Sequence, residues 1–168
     1  MSAWSDCDEE IVAAFLDYVE GAVAADDRYG PVGRCKSDDE SIIASRFEAF
    51  ESCWLEVAVH REPPRITVGF LTGESSVEQE IENGLADLGG TLKDLLAQGF
   101  QEAGLKWNNP PIERLDETGQ YAYYVTPVDL DELRDLELEE HRAKTIRMLE
   151  GYLITFGPAI ELTDDEDE

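Results

Sequence analysis

Between Ser75 and Leu105 the chain reads SSVEQEIENGLADLGGTLKDLLAQGFQEAGL, and Val77, Ile81, Leu85, Leu88, Leu92, Leu95, Leu96 and Phe100 recur every three or four positions. That interval predicts a helix with one apolar stripe, which has to be buried against another layer. Ser75 or Ser76 can cap its start, Glu78 and Glu80 sit near the positive end of its dipole, and Gly104 can close its far end. Gly89 and Gly90 interrupt the stripe at about 1 kcal/mol each relative to alanine, so the pattern predicts a kink or, as the preferred reading, a close crossing by another backbone.

The layer for this helix to cover is announced by alternation. Leu55, Val57 and Val59 alternate with Trp54, Glu56, Ala58 and His60; after Arg61-Glu62-Pro63-Pro64, Ile66, Val68 and Phe70 alternate with Arg65, Thr67 and Gly69. A period of two predicts two antiparallel strands, joined by a loop longer than a two-residue turn because of the diproline. Ser41 to Phe50 fits either element: Ile43, Phe47 and Phe50 suit a helix, while Ile43, Ser45, Phe47 and Ala49 suit one strand face. A second hairpin is predicted from Ile112 to Leu115 and Gln120 to Thr126, with Tyr121, Tyr123 and Val125 on one face, Ala122 and Tyr124 on the other, and Pro127 ending the strand.

Helical spacing of Ile11, Val12, Phe15, Val19 and Val23 predicts a first helix over Asp8 to Val23, followed by a loop over AADDRYGPVGRCKSDDES. A last helix begins at Asp129 or Asp131 and carries Leu133, Ile146, Leu149, Leu153 and Phe156 to Gly157-Pro158. Thr163 to Glu168 is a like-charge run of the kind that stays disordered. The expected fold is a single α+β domain over 1–162: an antiparallel sheet of four or five strands packed against a long central helix, with N- and C-terminal helices, in the order α-β-β-β-α-β-β-α.

Charge narrows the partners. Across 168 residues, 39 acidic against 13 basic side chains give a formal net charge of −26. Nucleic acid and anionic membranes would be repelled at long range, whereas a basic protein would be attracted. Three readings fit: a solvated coat adapted to high salt, an acidic chaperone or adaptor, or a DNA mimic whose carboxylates stand in for phosphates. The start MSAWSDCDEE has no basic region before an apolar run, and no window approaches a membrane span, so a cytoplasmic protein is expected.

Motifs for chemistry are missing. The chain has no GxGxxG, P-loop, HExxH or GxSxG pattern, and Cys7, Cys35 and Cys53 are widely spaced. His60 reads as a surface or sheet-edge residue, His141 as an ion-paired residue on the last helix, and Asp26-Asp27 and Asp38-Asp39 as products of abundant acid; an enzyme would need the latter to converge in a pocket. Cys35 lies between Arg34 and Lys36, a setting that can lower a thiol pKa, and with no histidine near it in sequence it reads as a loop cysteine. No catalytic, cofactor or metal residue is predicted. The candidate partner-binding surface is Tyr121, Tyr123, Tyr124 and Trp54, since aromatic side chains are favoured at interfaces.

In element order the chain resembles the type III secretion chaperone-like fold and the YbjN-like proteins, with local echoes in DETGQYAYYVTPVDL and YLITFGPAIEL. The resemblance covers roughly Asp8 to Leu162. It implies a non-enzymatic, protein-binding homodimer without a cofactor.

Overall fold

A computed structural model of the chain describes residues 5–25, 29–30, 32–36, 41–50, 53–61, 63–72, 92–107, 110–117 and 121–166. Helix α1 (Asp6–Val23) starts two residues before the predicted Asp8, because Ser5 caps it: the Asp8 amide donates to Ser5 Oγ at 3.1 Å. Asp6, Asp8 and Glu9 fill its first turn, where carboxylates oppose the positive dipole end. Val12, Phe15, Leu16, Val19 and Val23 form its buried face.

Among the described residues six strands follow the order β1-β2-β3-β4-β6-β5, every neighbouring pair antiparallel. They are β1 (Val32–Lys36), β2 (Ile42–Phe50), β3 (Cys53–His60), β4 (Arg65–Thr72), β5 (Glu113–Glu117) and β6 (Tyr121–Asp129). The α+β class and antiparallel sheet match the expectation, and the stretch from Ser41 to Phe50 is resolved as strand. The sheet gains β1 from a segment whose composition predicts a loop. Its five residues are all exposed, so no buried stripe could have advertised it.

Register settles which residues share a face. Ile43, Ser45 and Phe47 pair with Val59, Val57 and Leu55, which pair with Ile66, Val68 and Phe70, and these with Val128, Thr126 and Tyr124. This row faces the helices. The opposite face carries Ala44, Glu56, Ala58, Thr67, Leu71 and Val125, all buried as well. Pro127 lies within β6 rather than ending it. β5 has stopped at Glu113, opposite Val125, so β6 has a partner on one side only at Pro127, a setting in which proline is tolerated.

The predicted central helix is described only in part. Its described portion, α2 (Leu92–Glu102), packs on the C-terminal helix α3 (Glu139–Glu166); α3 is what lies on β3 and β4, with α1 beside it against β2. Residues 73–91, including Gly89 and Gly90, lie outside the described residues. Gly104 closes α2 as expected: at φ 92° it donates to the Gln101 carbonyl, and Leu105 donates to that of Phe100 at 2.8 Å, the paired bonds of a Schellman motif. The last helical region is split. A 3-10 turn (Leu133–Glu137) precedes α3, with Leu138 extended between them, and α3 continues past Pro158 to Glu166.

One aromatic chain ties these layers together. Trp107 stacks on Phe100 of α2, Phe100 meets Tyr152 of α3, Tyr152 meets Phe156, and Phe156 stacks on Phe70 of β4 with centroids 4.4 Å apart. Each such ring pair adds about 0.5–1.5 kcal/mol beyond the area it buries.

Candidate functional site

The outer strand β1 is fastened to the domain differently from every strand beside it. It pairs with β2, Arg34 opposite Ser45 and Lys36 opposite Ile43, and shares no buried residue with the core. On the helix side its cations reach across to α1. Arg34 is held by Asp17 and, at 2.8 Å, by Glu20; Lys36 is held by Glu9 at 3.0 Å. Ser45 donates from beneath to the same Glu20 oxygen at 2.8 Å.

These bonds shape the electrostatics. Burial works against the Arg34 charge, but the bonds to Asp17 and Glu20 outweigh it and raise its pKa above the ordinary value. Between α1 and β1 an open cavity of about 270 Å³ is lined by Ala13, Ile43, Cys35, Glu9, Arg34 and Lys36. Its walls combine aliphatic surface with charges that already have partners, so it is suited to holding a side chain rather than to moving protons.

Of the predicted aromatic surface, the described side chains are Trp54 and Tyr124, and they lie on opposite faces of the sheet. Tyr124 is 6% exposed, faces the helices and lies 5.8 Å from the Phe156 ring, which removes it as a partner-binding residue. Trp54 is half-buried on the opposite face, where its register row runs through Leu71 to Tyr123. The side chains of Tyr121 and Tyr123 lie outside the described residues. Period-two alternation already separates Tyr124 from its two neighbours, and burial adds which side is the core.

His60 is not at a sheet edge: it ends β3, an interior strand, with Nε2 3.1 Å from Thr67 Oγ1. Burial, aided by the charge of Arg65, lowers its pKa to about 4. His141 lies 4.0 Å from Glu140, as its helix position suggests. The basic neighbours of Cys35 do not activate it: partial burial pushes its thiol up, Glu56 pushes the same way, and Arg46 only partly opposes them. Arg34 and Lys36 are spent on α1. Asp26-Asp27 and Asp38-Asp39 lie outside the described residues.

Sequence reasoning missed the set formed by Glu9, Asp17, Glu20, Arg34 and Lys36. The available signal was the helical spacing of the three carboxylates together with the i, i+2 spacing of the two cations; nothing local said that the two patterns face each other. Among the described residues no group of three or more His, Cys, Asp or Glu side chains is arranged to hold a metal ion, and no helix is long and apolar enough to cross a membrane. No protein-family model matches the chain, and neither does any curated protein or solved structure.

Proposed function

We propose that the chain is a non-enzymatic, chaperone-like adaptor that binds another protein, and that the bound protein is basic. The supporting observation is how charge is distributed on α1. This helix carries Asp6, Asp8, Glu9, Glu10, Asp17 and Glu20 and no lysine or arginine, and β1 returns only Arg34 and Lys36 to it. Elsewhere cations are also engaged: Arg46 on Glu56, Arg142 over Tyr18, and Lys144 over Trp107. The excess negative field is therefore left to attract a cationic partner.

Affinity capture from the native lysate, followed by reconstitution with the purified partner and light scattering, tests this. The expected result is a stoichiometric complex that weakens as salt rises, because its attraction is screened. A chain that forms no complex with any protein would sink the proposal. The mass of the free chain reads its oligomeric state in the same measurement; a dimer must bury enough apolar surface to overcome repulsion between two molecules of charge −26.

A further inference from the structure

We propose that β1 is the docking edge of this protein, and that it takes an extended segment of the partner bearing lysine or arginine on both sides of one aliphatic residue, paired as an added strand. The inference rests on the adaptor reading and goes further by assigning where and how the partner binds.

Backbone geometry comes first. Among the described residues β1 is the terminal strand of the sheet and is hydrogen-bonded to β2 alone, so alternate residues turn their amide and carbonyl groups outward. All five residues are exposed, with Val32 at 42%. Such an edge accepts an extended chain, whose main-chain bonds give affinity and whose alternate side chains give specificity.

Side-chain chemistry then selects the occupant. Glu9 and Glu20 mark the flank of α1 that faces β1. At 100° per residue, Ala13, Asp6, Asp17 and Glu10 occupy the stripes just outside it, over the space an added strand would fill. Asp6, Glu10 and Asp17 are exposed, and Asp17 keeps 71% of its side chain in solvent despite its bond to Arg34. Five carboxylates on this flank face two cations, Arg34 and Lys36, which leaves a surplus for incoming ammonium or guanidinium groups. The cavity beside Ala13 and Ile43 has room for an aliphatic side chain from the same face of the added strand. A second copy of this chain fits poorly, because it would bring its own α1 carboxylates against these.

The probe is a synthetic strand-length peptide with a Lys-Thr-Val-Thr-Lys centre, titrated into the full chain and followed by fluorescence anisotropy and backbone amide exchange. Saturable binding with slowed exchange of β1 amides is expected. Replacing the lysines by glutamates, or the central threonines by prolines, should abolish it. In the protein, Glu10→Lys combined with Ala13→Leu should weaken binding by about tenfold or more. Because exchange is read on the unaltered chain, the test stands even if that variant folds poorly. Peptide binding that leaves β1 exchange unchanged overturns the docking edge while leaving the adaptor reading intact, as does a complex with the natural partner that protects some other surface. Concentration-dependent protection of β1 in the free chain would assign the edge to a second copy and overturn the proposal. Failure of the chain to bind any protein removes both readings together.

Discussion

Gly99 of α2 and Gly151 of α3 meet at the point where the two helices cross: a Cβ placed on Gly99 would stand 2.7 Å from the Gly151 carbonyl oxygen, and one on Gly151 would stand 2.8 Å from Cε1 of the buried Phe100 ring. No ordinary side chain fits in either place. Thr155 completes the contact, donating to the Gly151 carbonyl at 2.8 Å, with the Leu95 carbonyl 3.4 Å away.

Alanine at either glycine should therefore destabilise the fold, although alanine favours a helix by about 1 kcal/mol over glycine. Overpacking a closed contact costs about 1–3 kcal/mol, so once the helix preference is subtracted a net loss of up to about 2 kcal/mol is expected. Denaturant unfolding of Gly99→Ala and Gly151→Ala checks it; an unchanged or raised midpoint would show that the helices separate freely at this crossing.

His60 should make stability depend on pH. Its pKa is about 4 in the folded chain against 6.5 for an unperturbed histidine, so between those values the unfolded chain binds more protons. Stability therefore falls as pH drops from 6.5 towards 4. Because the ring is partly open to solvent, the contribution is put at about 1–2 kcal/mol. The difference between the wild-type chain and His60→Gln, followed by unfolding across that range, isolates it from the many carboxylates.

Tyr152 and Thr126 share a buried hydroxyl–hydroxyl bond of 2.7 Å. Tyr152→Phe should cost about 1–3 kcal/mol by leaving the Thr126 hydroxyl without this partner, and adding Thr126→Val should restore much of the loss. Burial raises the phenol pKa above its ordinary value of 10, more than the Thr126 bond lowers it. The folded state then holds the proton longer than the unfolded one, and stability is lost as pH rises past 10. Alkaline unfolding of wild type and Tyr152→Phe compares the two.

Arg34→Met should act locally. The Arg34 pairs are largely open to solvent on the Asp17 side, so removing them should cost less than about 1 kcal/mol globally. With its bridge to α1 gone, β1 should nevertheless exchange its amides several-fold faster than in the wild-type chain in hydrogen-exchange mass spectrometry, while β3 and β4 stay unchanged. Exchange of β1 unchanged from wild type would mean that pairing with β2 secures the strand without Arg34.

Most elements were legible in the chain because their burial is periodic. Alternation from Leu55 to Phe70 predicts β3 and β4 and the faces they show, the spacing of Val12, Phe15 and Val19 predicts α1, and Gly104 predicts the end of α2. Ser41 to Phe50 was undecided because Ile43 and Phe47 stand four apart, a separation that both periods allow. β1 was illegible: each of its residues is exposed, and it owes its place to backbone pairing with β2 and to Arg34 and Lys36. Gly89 and Gly90, read as close-approach glycines, lie outside the described residues; the crossing that is described uses Gly99 and Gly151, which lie in different helices.

By itself, then, the amino-acid order determined the α+β class, the antiparallel pairing around the diproline, and the acidic character that orients any partner. These follow from local periodicity and from counting charges, which need no third dimension. Only the tertiary structure decided that α3 lies on β3 and β4, that Tyr124 is core, and that the Glu9, Asp17 and Glu20 carboxylates meet β1. Each of those depends on which apolar face packs against which, and the several stripes here are chemically interchangeable until the chain has closed.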